Sequence, residues 1–232
     1  MQIFKPLIFL LFFLSSCFLD SLMAQNTLKG KVIMPGAQKA SVKLGGIEEY
    51  NAGGPKSDLK RKLDKENHPD RNVVLSLHPL DFSPTVLPLN RATLTQKEKT
   101  FIPHVLPVTR GSVIYIMNED EFYHNVHSKK PHGLFNIGRR KAGVEVPVKI
   151  RRTGLIRVGC NEHEEMSGFI LSLDTPYFTK VDESGNYTLE GLPNGKYQLK
   201  VFHPSMKRPA IYGEMLLTTG KVTIKDINLS RP

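Results

Sequence analysis

The chain has 232 residues, 40% of them apolar and none of them Trp, which suits one large or two small soluble domains. The net charge is +10. It implies an acidic partner or an anionic surface, or simply serves solubility, and it does not point to nucleic acid because no basic helix or aromatic RNA-binding motif accompanies it. The 18 Gly and 16 Pro are spread along the sequence and favour many turns between short strands.

Residues 1–24 carry Lys5, an apolar run from Leu7 to Leu14 and a small-residue end at Met23-Ala24. This has the form of a secretory signal, and its continuous apolar core is too short for a membrane span. Leu14-Ser15-Ser16-Cys17 also resembles a bacterial lipobox, so the sequence allows cleavage after Ala24 or membrane anchoring through a lipid on Cys17. Either route places the mature protein outside the cytoplasm, in the periplasm or another extracytoplasmic compartment. The chain has two cysteines, Cys17 and Cys160. If the first leaves with the signal, Cys160 stands alone in an exported protein, which calls for intermolecular pairing, a reactive thiol or a metal ligand.

Residues 28–44 read as two short strands around the turn Pro35-Gly36. Residues 45–72, with the mixed-charge run from Lys56 to Glu66, lack an apolar period and read as a long solvated loop. Val73 to Leu77 is a strand ended by His78-Pro79. From residue 91 short strands recur at the spacing of a β-sandwich: Ala92–Thr95, Val105–Val108, Ser112–Met117, Val144–Ile150, Leu155–Val158 and Gly168–Leu173. Beyond residue 174, turns at Asp182–Gly185 and Leu192–Gly195 precede strands at Tyr187–Leu189 and Tyr197–Val201. Lys221–Leu229 alternates as a closing strand. The predicted fold class is all-β.

The chemistry gathers in two stretches, Phe122-Tyr123-His124-Asn125-Val126-His127 and Val158-Gly159-Cys160-Asn161-Glu162-His163-Glu164-Glu165-Met166. Cys160, His163 and Met166 occupy a short loop after a strand, and His124 arrives from a sequence-distant strand. One thiolate, two imidazoles and a thioether form the donor set of a mononuclear blue-copper site. On this reading Cys160 is the thiolate, His124 the buried imidazole, His163 the solvent-facing one and Met166 the long axial donor. Asn125 ties the His124 strand to the loop by hydrogen bonds. His127, three residues on along a strand, faces away from His124. His68, His78, His104, His132 and His203 are read as structural or solvated. No open coordination position and no general base is legible, so the expectation is electron transfer rather than an enzyme's substrate chemistry.

His124-Asn125-Val126-His127 together with Cys160-x2-His163-x2-Met166 resembles the amicyanin-type cupredoxins, over roughly residues 91–174. The resemblance implies a Greek-key β-sandwich, one type 1 copper, and redox partners such as a periplasmic dehydrogenase or a c-type cytochrome. The longer chain is similar to cupredoxin-containing methylamine-utilisation proteins. Residues 180–203 resemble carboxypeptidase regulatory-like, transthyretin-type domains, which open on a Gly-x-Val strand such as Gly30-Lys31-Val32. The expected division is therefore a signal over 1–24, a cupredoxin domain over 83–175, and a transthyretin-like sandwich split between 28–82 and 176–232. On this division residues 30–34 share a sheet with a strand from 180–229. The sequence departs from the amicyanin pattern at Glu162, Glu164 and Glu165, an acidic collar around His163 that implies either a partner basic at that spot or a weaker, more solvated encounter. The alternative function is a cell-envelope binding or structural module whose cupredoxin part is metal-free or stores copper.

Overall fold

The computed structural model describes residues 25–34, 72–129, 133–218 and 220–229. The predicted signal, the second of the two strands expected before residue 45, the charged loop up to residue 71, and His68 and His132 lie outside these residues. The described chain is all-β, as its alternating short apolar runs require. In order the strands are β1 (Asn26–Ile33), β2 (Val74–Pro79), β3 (Ala92–Lys97), β4 (Thr100–Ile102), β5 (Val105–Thr109), β6 (Val113–Asn118), β7 (Val126–Ser128), β8 (Phe135–Asn136), β9 (Glu145–Lys149), β10 (Gly154–Cys160), β11 (Ser167–Leu173), β12 (Phe178–Lys180), β13 (Asn186–Leu192), β14 (Gly195–Phe202), β15 (Ala210–Leu217), β16 (Val222–Ile224) and β17 (Ile227–Asn228).

They form four sheets in two stacked pairs. One pair joins β4-β3-β6-β9 to β5-β11-β10-β7-β8. Its core holds Leu94, Phe101, Val108, Ile114, Ile116, Val126, Ile156 and Ile170, all fully buried. The alternation in β6, where Ile114 and Ile116 point inward between half-buried neighbours, is what a sheet with one wetter face demands. The other pair joins β13-β1-β16, with β17 also on β1, to β12-β2-β14-β15 around Leu28, Leu75, Leu77, Tyr197, Leu199 and Val201.

β1 is the hub of the second pair. It runs antiparallel to β13 (Lys29 beside Thr188) and parallel to β16 and β17. The single closing strand expected over 221–229 is thus two short ones. The break falls where the Lys225 amide donates to the Lys29 carbonyl and the Lys31 amide donates to the Asp226 carboxylate. Gly30 permits this crossing, since a Cβ there would stand 2.1 Å from the Lys225 carbonyl oxygen.

The two pairs meet through β11. Ile170 faces the first core, while Phe169, Leu171 and Leu173 face outward against Val74 of β2 and Phe202 of β14, all at most 5% exposed. A strand covered on both sides reads as an unbroken apolar run, and Gly168-Phe169-Ile170-Leu171-Ser172-Leu173 does so for this reason. The Thr175 hydroxyl donates to the Leu77 carbonyl at 2.6 Å and ties the exit of β11 to β2.

Candidate metal centre

Two loops at one end of the first sheet pair bring the candidate ligands together. β6 stops at Asn118, and the chain then crosses through residues 119–125 before entering β7. His124 is therefore in a connecting segment rather than at the end of the strand that opens near Ser112. Buried Asn118 organises that segment: its side-chain amide donates to the carbonyls of Phe122 and Arg140, and its Oδ1 accepts from the Asp120 amide. His124 exchanges both main-chain hydrogen bonds with Arg140, which fixes its Cα direction. Cys160 is the last residue of β10, beside Val126 of β7. The turn after it closes with the Met166 amide donating to the His163 carbonyl at 3.1 Å.

Three donors converge. Cys160 Sγ lies 3.4 Å from His124 Nδ1 and 3.9 Å from His163 Nδ1, and the two Nδ1 atoms are 3.2 Å apart. His124 is fully buried, Cys160 is nearly so, and His163 is partly open to solvent. Donors held about 2.0–2.3 Å from one shared transition-metal ion would be separated by such distances. A thiolate with two imidazoles suits a soft or borderline ion such as copper, so the donor set and its spacing fit the implied metal. Met166 sits on the buried side of the same loop, 3% exposed, in the core that also contains Cys160. His127 is outside the group, beside Gly159 across β7 and β10.

The hydrogen bonds around the cluster decide which nitrogen faces the sulfur. His124 Nε2 lies 2.7 Å from the buried Asp120 carboxylate, and a carboxylate accepts, so Nε2 carries the hydrogen and Nδ1 keeps its lone pair toward Cys160. Asp120 also accepts from the main-chain amides of Glu98 and Lys99, at 2.6 and 3.1 Å. Both of those residues hold positive φ (49° and 56°), so one carboxylate steadies an unfavourable turn and orients an imidazole. Asp120 was not among the residues singled out from sequence. Its signal was the spacing Asp-x3-His, which is common enough to carry nothing alone. Asn125 does tie its strand to the loop, through its main chain: its amide donates to Cys160 Sγ at 3.5 Å and its carbonyl accepts from the Asn161 amide. Its side-chain oxygen is buried without a partner.

Phe122 packs its ring 5.2 Å from each of the two imidazoles while remaining 39% exposed. Lys99 lies over the same ring. Next to it, half-exposed Tyr123 stacks under Arg139, which also pairs with Glu162 at 3.3 Å. The acidic collar is thus partly neutralised from within, and aromatic surface adjoins His163.

No family model and no curated protein sequence matches the chain. Among solved structures it is similar to a purple cupredoxin from Nitrosopumilus maritimus, with 19% identity over 35% of this chain and 99% of that one and a TM-score of 0.33. It is also similar to a copper-containing nitrite reductase (NirK) from Thermus scotoductus SA-01, with 20% identity over 41% of this chain and 25% of that one and a TM-score of 0.35. A third similar structure is a reduced mutant amicyanin, with 16% identity over 42% of this chain and 99% of that one and a TM-score of 0.34. These neighbours are cupredoxins, and each covers less than half of this chain.

Proposed function

We propose that the protein is an exported one-electron carrier whose single type 1 copper is held by His124, Cys160 and His163, with Met166 as the axial donor. The observation that carries this reading is the approach of two imidazole nitrogens and one thiol sulfur to within 3.9 Å of one another. A bound copper ion would supply the one-electron couple. The protein's part is to hold the donors so that neither oxidation state relaxes the site. The β7–β10 pairing fixes Cys160 beside Val126, Asp120 fixes the His124 ring, and the short turn to Met166 fixes His163. Phe122 keeps water off both imidazoles, and the partly open edge of His163 is the path by which an electron leaves.

The wider reading follows the sequence. The signal-like residues 1–24 support export, with Cys17 lipidation as the anchored alternative. The redox partners would be a periplasmic dehydrogenase or a c-type cytochrome. Residues 83–175 would be the cupredoxin domain, and 28–82 with 176–232 the transthyretin-like sandwich that carries it. The pairing of β1 with β13, β16 and β17 supports that division.

The test is to add Cu(II) to the purified metal-free chain and to its Cys160→Ala variant. The expected result is an intense visible charge-transfer band in the wild type, absent from a variant that retains its β circular dichroism. A colourless wild type, or a band that survives the substitution, overturns the reading.

A further inference from the structure

The end of the first sheet pair opposite the metal loop is a cluster of turns. β10 runs from Gly154 at this end to Cys160 at the other, roughly 20 Å away. Here the Gly111 amide donates to the Ile150 carbonyl at 2.7 Å and joins the β5–β6 turn to the β9–β10 turn. A third segment is strapped over them. The Leu87 carbonyl accepts from the Thr109 hydroxyl at 2.7 Å, and the Leu89 amide donates to the Ser112 hydroxyl at 2.8 Å. Thr109 and Ser112 are both buried. Gly111 holds a φ of 92°, which favours glycine, and a Cβ there would stand 3.2 Å from Pro88 Cγ. The strap therefore holds Leu87 outward, 70% exposed. The cluster carries one sign of charge. Arg110, Lys149, Arg151 and Arg152 are all exposed, and among the described residues no carboxylate pairs with any of the four. Asp174 follows Leu173, whose carbonyl accepts the Arg110 amide, but its carboxylate is taken up by His78. Like charges on neighbouring turns repel one another, and an anionic partner relieves that repulsion.

We propose that this end docks on an anionic phospholipid surface, with Arg110, Lys149, Arg151 and Arg152 on the head groups and Leu87 entering the interface beside them. The form of the cluster favours a membrane over a soluble acidic protein. The cations stand on turn tips next to a protruding aliphatic side chain, and an apolar tip flanked by basic groups suits a head-group layer. Three of the four cations are arginines, whose guanidinium groups meet phosphate with paired N–H donors. A membrane beside the protein follows from the export reading of residues 1–24. Docking by this end turns the metal loop, at the other end of β10, away from the lipid and toward soluble partners. The docking needs no metal, so it stands or falls apart from the copper titration.

The experiment uses the metal-free chain from Gln25, which retains every strand and lacks the apolar run in residues 1–24 that would itself bind lipid. It is co-sedimented with vesicles of phosphatidylcholine containing about one third phosphatidylglycerol, and with vesicles of phosphatidylcholine alone. The expected result is binding to the anionic vesicles at low salt, little to the neutral ones, and release as salt is raised. Arg151→Glu with Arg152→Glu should weaken partitioning by about tenfold or more, and Arg110→Glu by about fivefold. Leu87→Ser should weaken it several-fold while leaving the charge intact. Lys29→Glu with Lys221→Glu makes the same change of charge on the second sheet pair and should alter binding by less than about twofold. All of these side chains are exposed. Circular dichroism identifies any variant that does not fold, and the remaining ones then decide. Equal effects of the two double substitutions would show that no binding is specific to this end, and overturn the proposal. So does absence of binding to anionic vesicles at low salt. Capture of soluble polyglutamate but not of vesicles, lost on Arg151→Glu with Arg152→Glu, assigns the cluster to an acidic protein and overturns it as well.

Discussion

The Asp120 carboxylate sits 2.7 Å from His124 Nε2, with both side chains buried and only three residues between them in the chain. The same carboxylate accepts the amides of Glu98 and Lys99, so the conformation of the β3–β4 turn and the direction of the candidate ligand are set by one group. Moving the turn would move the imidazole.

Asp120→Asn keeps the size of the side chain and removes the charge that holds the His124 tautomer. Copper affinity, measured by competition with a chelator, should fall by about 10–100-fold, the usual cost of removing a carboxylate behind a ligating imidazole. The metal-free protein should lose stability as well, because two amides then share a weaker acceptor. An unchanged copper affinity would show that Asp120 serves the turn alone.

Met166 is both the proposed axial donor and a core residue. Met166→Leu nearly conserves volume and should cost less than about 1.5 kcal/mol. If the thioether is a weak axial donor, the variant keeps its visible band but its reduction potential rises, because one donor to Cu(II) is lost. A potential identical to that of the wild type assigns Met166 to packing.

The junction between the sheet pairs is built like a core, and Phe202 is 1% exposed within it. Phe202→Ala should cost about 3–5 kcal/mol. In chemical denaturation followed by circular dichroism, a junction that couples the pairs shifts the whole transition. Pairs that unfold separately would split it into two steps.

The sequence made the strands legible wherever one face is wet, because alternation then betrays the buried side, as in β6 and β14. It also made Cys160 and His163 legible, since ligand types at fixed short spacing are a local signal. It hid what depends on contact between distant segments. β15 is exposed or half-exposed up to Leu216, with only Leu217 buried, and shows no clean alternation. β7 and β8 are only three and two residues long. The split of the closing strand is set by Asp226 meeting Lys31, a pairing between positions far apart in the chain. Asp120 was invisible because only the fold brings the β3–β4 turn to it. His104 and His203 looked like ordinary solvated histidines until the structure set them in one cleft.

His78 gives the last prediction. Its Nδ1 lies 3.0 Å from the Asp174 carboxylate and its Nε2 3.0 Å from the Ser76 hydroxyl, a line of serine, imidazole and carboxylate that spans from β2 to the exit of β11. Ser76 is only 3% exposed, so no substrate reaches it, and the line is a strut rather than a catalytic triad. Burial lowers the His78 pKa below 6.5 first, with the charge of Lys200 adding to it and Asp174 opposing it. His104 is lowered as well, chiefly by burial. A histidine whose folded pKa is depressed is neutral in both states above 6.5. Below that value the unfolded chain takes up a proton that the folded chain refuses, so stability falls with pH until the folded pKa is passed. The urea midpoint of the metal-free protein should therefore drop between about pH 7 and pH 5. His78→Gln, which keeps a polar side chain at the junction, should flatten part of that drop, and His78→Gln with His104→Gln more of it. A midpoint with the same pH slope in the double variant as in the wild type would place the proton uptake elsewhere.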